Sequence, residues 1–431
     1  LSAVLLLASP LVQANGLDLN LSKTMPAIEK FYLDLHQSPE LSYHEQETGK
    51  KIANKLTQLG FKVTSNVGGF GVVGIYKNGN GPTVMIRTDT DGLPIIEQTG
   101  KSYASKVKVI DEHGAKVGVM HGCGHDIHMS SFIGTAEQLI VHKAQWKGTL
   151  MMVAQPAEEV GGGAKAMLNE GLFSKYEKPD HIIALHVSAS VPAGKVSMKN
   201  EYTMASVDSV DITIKGKGGH GAYPHTTIDP VIIAARTVLA LQTITSRELS
   251  PLEPSVITVG SIHGGSKHNV ISDEVKLQLT LRSYNPNVRN AQIAAIKRIT
   301  AGIAQSSGLD ESNYPVVYVH EDESIPSTYN NPAQTDIVRH SIASAIGDTN
   351  VLETQAVMAG EDFGLYGRTD ENIPITLFWL GGVNQAQYAD SIKTGEVLPS
   401  LHSSKFAPDY KVAIPTGIKA MSNAAVGLFN K

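Results

Sequence analysis

Short apolar runs that alternate with helical stretches are the feature that most constrains the fold of this chain. Helical patterns at residues 131–142 and 163–171 separate apolar runs that each end at polar or turn-forming residues. Four of these runs predict strands at residues 72–76, 84–87, 150–154 and 182–187. Such alternation predicts an α/β fold with a mostly parallel sheet and helices on both of its faces.

A different pattern interrupts this rhythm between residues 203 and 319. The segment predicts strand, helix, two strands, helix and strand, at residues 207–215, 229–249, 256–263, 275–282, 288–307 and 316–319. This βαββαβ order is that of a ferredoxin-like unit. The first pattern then resumes, and 431 residues exceed what one core usually organises. We therefore predict one domain of residues 17–202 and 320–431, and an inserted domain of residues 203–319 whose ends lie close together.

The first residues predict a leader rather than part of the fold. An apolar run at residues 3–7 precedes Val12-Gln13-Ala14, a small-residue cleavage site. We interpret residues 1–14 as the remnant of a signal peptide, so a secreted or periplasmic location is expected. A buried N-terminal helix is the alternative, but Pro10 and Asn15-Gly16 would break it early.

Composition limits the partners that this chain can have. The formal net charge is −5 and no basic run is present, so we expect neither a nucleic-acid partner nor an anionic membrane surface. Beyond the leader, no apolar run reaches the ~18 residues that a membrane span needs.

The only cysteine of the chain, Cys123, lies between two histidines in the stretch MHGCGHDIHMS, residues 120–130. Oxidising compartments favour paired cysteines, and a single cysteine cannot form an intrachain disulfide. The thiol is therefore either buried and inert or held by a metal. The spacing of Cys123 and His125 would direct both side chains to one side if the backbone were extended.

Chemically active residues follow the predicted strands. Asp89 and Asp91 follow the second strand, Glu158 and Glu159 the third, and His186 lies in the fourth. Since the carboxyl ends of parallel strands share one edge, we expect these side chains to meet there. Each has a plain structural alternative, for example a core histidine or a solvated helix start. Together with the thiol they favour Zn, Mn, Co or Ni, and adjacent glutamates can divide metal binding from proton transfer.

Two competing motifs are present. Residues 69–74 match the glycine pattern of dinucleotide-binding proteins, and Asp89 lies about twenty residues further on. That fingerprint needs a helix to begin at the glycines, whereas residues 75–82 predict a strand end and a turn. His44-Glu45 begins a zinc-binding HExxH pattern but has Thr48 in place of the second histidine.

Nine motifs in one order resemble the metal-dependent amidohydrolases that include hippurate hydrolase, auxin-conjugate hydrolases and N-acyl-amino-acid amidohydrolases. These enzymes are relatives of the aminoacylases and of the glutamate carboxypeptidases. The resemblance covers nearly everything after residue 16. The motifs are PELSYHEQET (39–48), IRTDTDGLPI (86–95), MHGCGHDIHMS (120–130), QPAEEVGGGAKAM (155–167), ALHV (184–187), GKGGHGAYPH (216–225), HNVI (268–271), GEDF (360–363) and LHSSKF (401–406).

The resemblance implies a centre of two divalent metal ions, with Zn or Mn expected and Co or Ni as alternatives. Its ligands would be Cys123, His125, Glu159, His186 and His402. Cys123 would bridge the ions, in the place that an aspartate has in the aminoacylases. Glu158 would be the general base and then the acid, and Asp89 would orient a ligand histidine.

The resemblance further implies a homodimer in which the inserted domain is a lid and dimerisation domain. His220 would reach the partner's active site and stabilise the oxyanion. Asn269 and Arg282 would bind the carboxylate of the substrate, with a surface ion pair as the alternative for Arg282.

The expected reaction is hydrolysis of an N-acyl or N-aroyl amino acid by metal-activated water. A carboxypeptidase or dipeptidase on the same site is the nearest alternative. A non-catalytic metal-binding protein is a second one, although such a protein would be expected to have lost Glu158. Departures from the family pattern at Gly122 and Ser404, and around the two aspartates at Thr88, Thr90 and Gly92, leave the substrate open.

Overall fold

The fold is described from a computed structural model that covers residues 17–111 and 114–431. The predicted leader, residues 1–14, lies outside the described residues. Ten α-helices lie in the described part of the chain: α1 Met25–Gln37, α2 Gln46–Gln58, α3 His125–Val141, α4 Gly163–Asn169, α5 Leu172–Lys175, α6 Pro230–Thr243, α7 Pro286–Ser306, α8 Pro332–Ile346, α9 Gln385–Thr394 and α10 Tyr410–Phe429.

The strands of the described residues form two larger sheets and three short ribbons. In chain order they are β1 Lys62–Val67, β2 Gly71–Asn78, β3 Thr83–Asp89, β4 Lys108–Ile110, β5 Lys116–Gly118, β6 Gly148–Gln155, β7 His181–Pro192, β8 Val196–Met198, β9 Glu201–Met204, β10 Asp208–Lys215, β11 Gly219–His220, β12 Ser255–Gly264, β13 Val270–Ile271, β14 Glu274–Ser283, β15 Val316–Val319, β16 Thr328–Asn330, β17 Val351–Glu353 and β18 Ile375–Val383.

The larger sheet has eight strands in the order β1-β2-β6-β3-β7-β18-β8-β17. Its centre, from β6 to β18, is parallel. Antiparallel pairs flank this centre, with β1 and β2 on one side and β8 on the other. The sheet is therefore mixed, with the predicted parallel arrangement confined to the central strands and to the pair β8 and β17.

Helices cover both faces of this sheet, as predicted. Every residue of β6 is buried, and its side chains alternate between two hydrophobic clusters. Leu150 and Met152 belong to the cluster that includes α1, α3 and α10. Met151 and Val153 belong to the cluster that includes α4 and α5. An apolar run without a polar face is what a strand buried on both sides requires.

The long C-terminal helix α10 is not revealed by periodicity, because it is apolar around most of its surface. It packs against α3 and α8. Among the described helices, α10 alone has the length and apolarity of a membrane span, and 72% of its most apolar window is buried inside the protein. These contacts are those of a core helix.

The second sheet has four antiparallel strands in the order β12-β14-β10-β15, and α6 and α7 pack on one face of it. The elements follow the predicted βαββαβ order. The chain enters and leaves this unit side by side, because the amides and carbonyls of Val207 and Ile325 bond reciprocally at 2.9 and 3.0 Å. The predicted helix at 229–249 ends as α6 at Thr243 and continues as a π-helical turn, Ile244–Glu248.

The glycines at residues 69–74 belong to the turn between β1 and β2 and to β2 itself, and not to a nucleotide site. Residues from Gly71 onward form β2, which pairs with β1 and β6. A Cβ atom on Gly71 would lie 2.3 Å from the carbonyl oxygen of Val67, so glycine is needed for close backbone packing. No helix begins at these glycines, which rules out the dinucleotide fingerprint.

Candidate metal centre

Side chains from four separate segments meet at the carboxyl edge of the parallel strands. Three overlapping groups have ligand atoms within 4.8 Å of one another. They are Cys123 with His125 and His186, Cys123 with Glu159 and His402, and His125 with Glu158 and Glu159. All five predicted ligands belong to these groups, and Cys123 is shared by the first two.

A tight turn presents Cys123 and His125 to the same point. Gly124 has a left-handed backbone (φ 78°) and precedes α3, so His125 is the first helical residue. The backbone is thus not extended here, as the two-residue spacing had suggested. A Cβ atom on Gly124 would lie 2.5 Å from Val187 Cγ1, so the turn also needs glycine for space.

His186 faces the thiol with a free nitrogen. Its Nδ1 lies 2.8 Å from the carbonyl oxygen of Val187, to which it donates, so the proton is on Nδ1 and the lone pair is on Nε2. Nε2 lies 3.4 Å from Cys123 Sγ. Burial raises the pKa of the Cys123 thiol well above its usual range, and the charges of Glu159 and Glu158 raise it further. A cation at this point would favour the thiolate.

His125 is buried, and its Nε2 has no hydrogen-bond partner among the described residues. This nitrogen lies 3.7 Å from Glu159 Oε1 and 3.8 Å from Glu158 Oε2. Burial lowers the pKa of His125, but Asp89, Asp91 and Glu159 outweigh it and raise the value to about 10. Unpartnered buried donors among carboxylates fit a divalent cation, since buried polar groups are otherwise paired.

His402 brings the far end of the chain to the site. Its backbone is left-handed (φ 64°), and its amide donates to the carbonyl oxygen of Gly122 at 2.9 Å. The imidazole Nε2 lies 3.4 Å from Glu159 Oε2. Burial raises the pKa of Glu159 to about 7 in spite of His125. The complete set of thiol, imidazoles and carboxylate therefore fits transition-metal ions such as Zn.

Asp89 was predicted to orient a ligand histidine, but the carboxylate that faces Nδ1 of His125 is that of Asp91. Asp91 Oδ1 faces Nδ1 of His125 at 3.2 Å, and its Oδ2 accepts from the amide of Glu159 at 3.0 Å. Asp91 therefore orients two of the predicted ligands. Asp89 instead accepts from Nδ1 of His128 at 2.7 Å, while its other oxygen lies 3.7 Å from His125 Nε2.

His128 supports the site without a free nitrogen. The amide of Val187 donates to its Nε2 at 2.8 Å, and its Nδ1 donates to Asp89. It thereby joins α3 to the strand of His186. Sequence reasoning assigned no role to His128, although its position three residues after His125 on one helix would have indicated a shared face.

A buried cluster below Glu158 was also missed. The guanidinium of Arg87 donates to Asp89 at 2.8 Å, to Glu361 at 2.9 Å and to Asp362 at 3.0 Å. In the sequence, this cluster was indicated only by a charged residue inside an apolar strand and by the GEDF motif. Burial raises the pKa of Glu158 well above its usual range, and the nearby Glu361 and Glu159 charges raise it further. Burial thus shifts the pKa of Glu158 upward, the direction in which carboxylates that act as general acids and bases are tuned.

Arg282 lies in the same cleft as the predicted metal ligands. The cleft has a volume of about 940 Å³, and its lining includes Glu158, Arg282, Met204, Met358 and Trp379. Arg282 is half-buried and has no ion pair among the described residues. Asp208, whose charge acts on Arg282, bonds to Arg289 instead. The alternative of a surface ion pair is therefore not observed.

His220 and Asn269 lie together but outside this cleft. His220 lies in β11 and Asn269 directly precedes β13 of the same ribbon, and the amide of Gly221 donates to the carbonyl oxygen of Asn269 at 2.9 Å. Both side chains are exposed. The amide of Ala222 donates to Nδ1 of His220 at 3.0 Å, so Nε2 carries the proton and points away as a donor.

Residues 85–395 match the family described as peptidase family M20/M25/M40. Thermostable carboxypeptidase 1 of Saccharolobus solfataricus is 37% identical over 401 residues, which are 92% of this chain and 94% of that protein. Hippurate hydrolase of Campylobacter jejuni is 34% identical over 343 residues, 78% and 84% of the two chains. The solved structure of the YXEP protein of Bacillus subtilis, a dinuclear metal binding peptidase, has a TM-score of 0.75 at 29% identity and covers 94% and 98% of the chains.

The donor set at the sheet edge, the fold and these relatives all indicate a hydrolase that depends on metal ions. Metal-dependent amidohydrolases and carboxypeptidases are both among the proteins that the chain resembles over most of its length. This chain is a metal-dependent hydrolase and belongs to peptidase family M20/M25/M40.

Proposed function

We propose that the chain hydrolyses the amide bond of N-acyl or N-aroyl amino acids, outside the cytoplasm. One observation carries the proposal: a single cleft is lined by four of the five candidate ligands, by the buried carboxylate of Glu158 and by Arg282, whose guanidinium has no ion pair among the described residues. Metal, base and carboxylate-binding cation are the parts that cleavage of such an amide needs. Export rests on the predicted leader, residues 1–14.

Two divalent ions, Zn or Mn, are the cofactors we propose. Cys123, His125 and His186 would hold one, and Cys123, Glu159 and His402 would hold the other. When bound, such ions polarise the substrate carbonyl and lower the pKa of water.

Glu158 supplies the proton transfer. Its carboxylate lies 3.8 Å from His125 Nε2 and faces the cleft, so it can take a proton from the attacking water. The high pKa that burial produces lets the same group keep the proton and deliver it to the leaving nitrogen. Glu159 also faces His125, but its second oxygen faces His402 as well, and this additional imidazole contact supports a division of labour between the adjacent glutamates.

Arg282 and the apolar wall suggest how the substrate lies. The guanidinium can bind the free carboxylate of the amino acid, while Trp379, Met204 and Met358 offer apolar surface for the acyl group. Carboxypeptidase activity on the same site is the second candidate, since a relative named for it is 37% identical over 92% of the chain.

The inserted unit, we propose, forms a homodimer that completes each active site. His220 presents a free N–H on an exposed ribbon and contacts no substrate cleft of its own chain. Helix α6 exposes Val231, Ile232 and Leu239, and β12 is an edge strand with an unpaired side. A second copy would cover this apolar face and bring His220 to the other cleft as an oxyanion donor.

The test is hydrolysis of a panel by the purified chain: hippurate, N-acetyl amino acids, aminobenzoyl-glutamate and dipeptides. Each is assayed after chelation and after addition of Zn, Mn or Co. We expect cleavage of acylated amino acids that disappears with the chelator and returns with metal. Faster cleavage of the dipeptides would favour the carboxypeptidase, and no turnover of any amide would contradict the proposal.

A further inference from the structure

The motif PELSYHEQET, residues 39–48, lies before the family-matched region and has no role in the mechanism described so far. It forms the turn that enters α2, and the amide of Gly92 donates to the carbonyl oxygen of Glu40 at 2.7 Å. The turn is thereby attached beside Asp91. Within it, the side chain of Glu45 is buried, which is unusual for a glutamate without a cationic partner.

Glu45 holds the backbone immediately before the catalytic glutamate. The amide of Ala157 donates to Glu45 Oε1 at 2.7 Å. Ala157 is buried and has a left-handed backbone (φ 52°), a conformation that residues other than glycine rarely adopt. Such a strained residue persists only where its surroundings hold it in place.

The strained residue determines where the two glutamates point. The carbonyl oxygen of Ala157 accepts from the amides of Gly162 and Gly163, at 3.1 and 3.0 Å, which folds the chain back on itself. Glu158 and Glu159 are therefore at the tip of a closed turn. The amide of Glu159 is bonded to Asp91, whereas the turn before Glu158 is bonded to Glu45.

The same motif also holds the carboxylate that orients His125. Ser42 Oγ donates to Asp91 Oδ2 at 2.7 Å. Asp91 in turn faces His125, so one N-terminal turn contacts both the metal-ligand side and the base side of the centre. These contacts come from residues more than one hundred positions apart from Glu158 in sequence.

We infer that Glu45 is a positioning residue for the hydrolytic reaction: its carboxylate fixes the left-handed Ala157 and so directs Glu158 into the cleft. This inference rests on the proposed role of Glu158 as the general base. The required feature is a hydrogen-bond acceptor at Oε1, since Oε2 has no hydrogen-bond partner among the described residues. Charge at residue 45 is not required.

Three substitutions at residue 45 test the role. Glu45→Gln retains the acceptor, Glu45→Asp draws it back by one carbon, and Glu45→Ala removes it. The matched control is Glu40→Ala, because Glu40 Oε2 accepts from the amide of Thr48 at 2.7 Å in the same motif but does not contact Ala157. For each variant we would measure kcat, KM, metal per chain and the thermal midpoint of unfolding.

We expect kcat to fall about 10- to 100-fold in Glu45→Ala, with KM and metal content near wild type, because misplaced catalytic groups lose rate rather than binding. Glu45→Gln should stay within a few-fold of wild type and Glu45→Asp should be intermediate. If Glu45→Ala does not fold, the order Gln above Asp in kcat decides the question. The control should lower only the thermal midpoint.

Equal kcat in all folded variants, or a Gln variant as slow as the Asp variant, would overturn the inference. Its failure is distinguishable from failure of the proposed function. If only the inference about Glu45 is wrong, the wild type is active and Glu158→Gln is inactive, while the Glu45 variants turn over substrate at the wild-type rate. If the proposed function is wrong, the wild type itself cleaves no amide.

Discussion

The two regions with predicted functional residues differ in burial and in completeness. At the sheet edge, four segments of one chain bring a thiol, imidazoles and carboxylates into overlapping groups of three whose ligand atoms lie within 4.8 Å of one another, and most of these side chains are buried. On the ribbon of β11 and β13, His220 and Asn269 are exposed, and neither lines the cleft of its own chain. The first region has a full set of candidate ligands within one chain, whereas the second presents the N–H of His220 without an acceptor in the cleft of its own chain.

This contrast indicates how the work of the site is divided. Parallel strands that share an edge assemble the proposed metal ligands and base by topology, so we expect a folded single chain to bind metal. The oxyanion donor instead depends on the proposed contact between two copies. Substitutions in the two regions should therefore differ in whether a second subunit can rescue them.

The largest effect is expected from Glu158→Gln. The amide cannot accept the proton of the attacking water, so kcat should fall about 100- to 10,000-fold, the range for loss of a general base. Metal content should stay at the wild-type value, because Glu159 and the other predicted ligands are unchanged. Kinetics and elemental analysis of the same preparation measure both. Wild-type rates would remove Glu158 from the mechanism.

His220→Ala should have the next largest effect, a fall in kcat of about 100- to 1,000-fold through loss of one oxyanion donor. The variant should keep the metal content of the wild type and the dimeric state that we propose for it. His225 provides the control, because it is a second exposed histidine in the same motif, residues 216–225. If His225→Ala loses as much activity as His220→Ala, the effect is not specific to the oxyanion donor.

Mixing the two inactive variants sharpens the comparison between the regions. A heterodimer of Glu158→Gln and His220→Ala has one site with an intact base and an intact donor from the other subunit. After exchange of subunits at equal concentrations, about a quarter of the wild-type activity should return. No recovery, with heterodimers demonstrated by native mass spectrometry, would place His220 in its own chain's site.

Arg282→Met should raise KM about 10- to 100-fold, because a charge-assisted hydrogen bond to the substrate carboxylate is lost. The loss should disappear for substrates in which that carboxylate is amidated. Arg298→Met is the matched control, since Arg298 is an exposed arginine of α7 that pairs with Glu248. An equal KM rise for both kinds of substrate would argue against carboxylate binding.

The smallest effect is expected from His36, whose substitution should change the stability of the fold. His36 contacts Asp126, the residue that follows His125. Its Nδ1 lies 2.6 Å from Asp126, and its Nε2 lies 3.2 Å from Glu97. Burial lowers the pKa of His36, but these two hydrogen bonds outweigh it and raise the value to about 10. A raised pKa contributes stability that is complete below the ordinary value near 6.5 and declines as the pH approaches 10.

His36→Gln should therefore lower the free energy of unfolding by about 2 kcal/mol at pH 6 and by less at pH 9.5. The pKa values of Glu97 and Asp126 are lowered in the folded chain, so their contribution is lost instead as the pH falls through the acid range. Denaturant unfolding at several pH values measures the difference. A larger loss at pH 9.5 than at pH 6 would contradict the assigned charge state.

The sequence predicted the α/β fold and the location of the chemistry because each strand end is marked locally. Glu158 and His186 are polar residues at the ends of apolar runs, and sheet topology then brings them together. His402 was predicted as a ligand only from the resemblance in motif order. It lies 243 residues beyond Glu159, and the residues around it do not mark a strand end.

Contacts that depend on rotamer and backbone detail were beyond the sequence. Asp89 and Asp91 are equivalent in pattern, and only the three-dimensional positions assign His125 to Asp91 and His128 to Asp89. The ion cluster of Arg87 joins residues 274 positions apart in sequence. The left-handed Ala157 could not be predicted either, since alanine gives no indication of positive φ.

The most direct test of the central claim is the number of metal ions that one chain binds. Elemental analysis after saturation with Zn and dialysis against metal-free buffer should give two ions per chain in the wild type. Cys123→Ala should bind at most one, because the residue shared by both ligand groups is gone. A wild type without metal, or a Cys123→Ala variant that keeps two ions with unchanged affinity, would contradict the account.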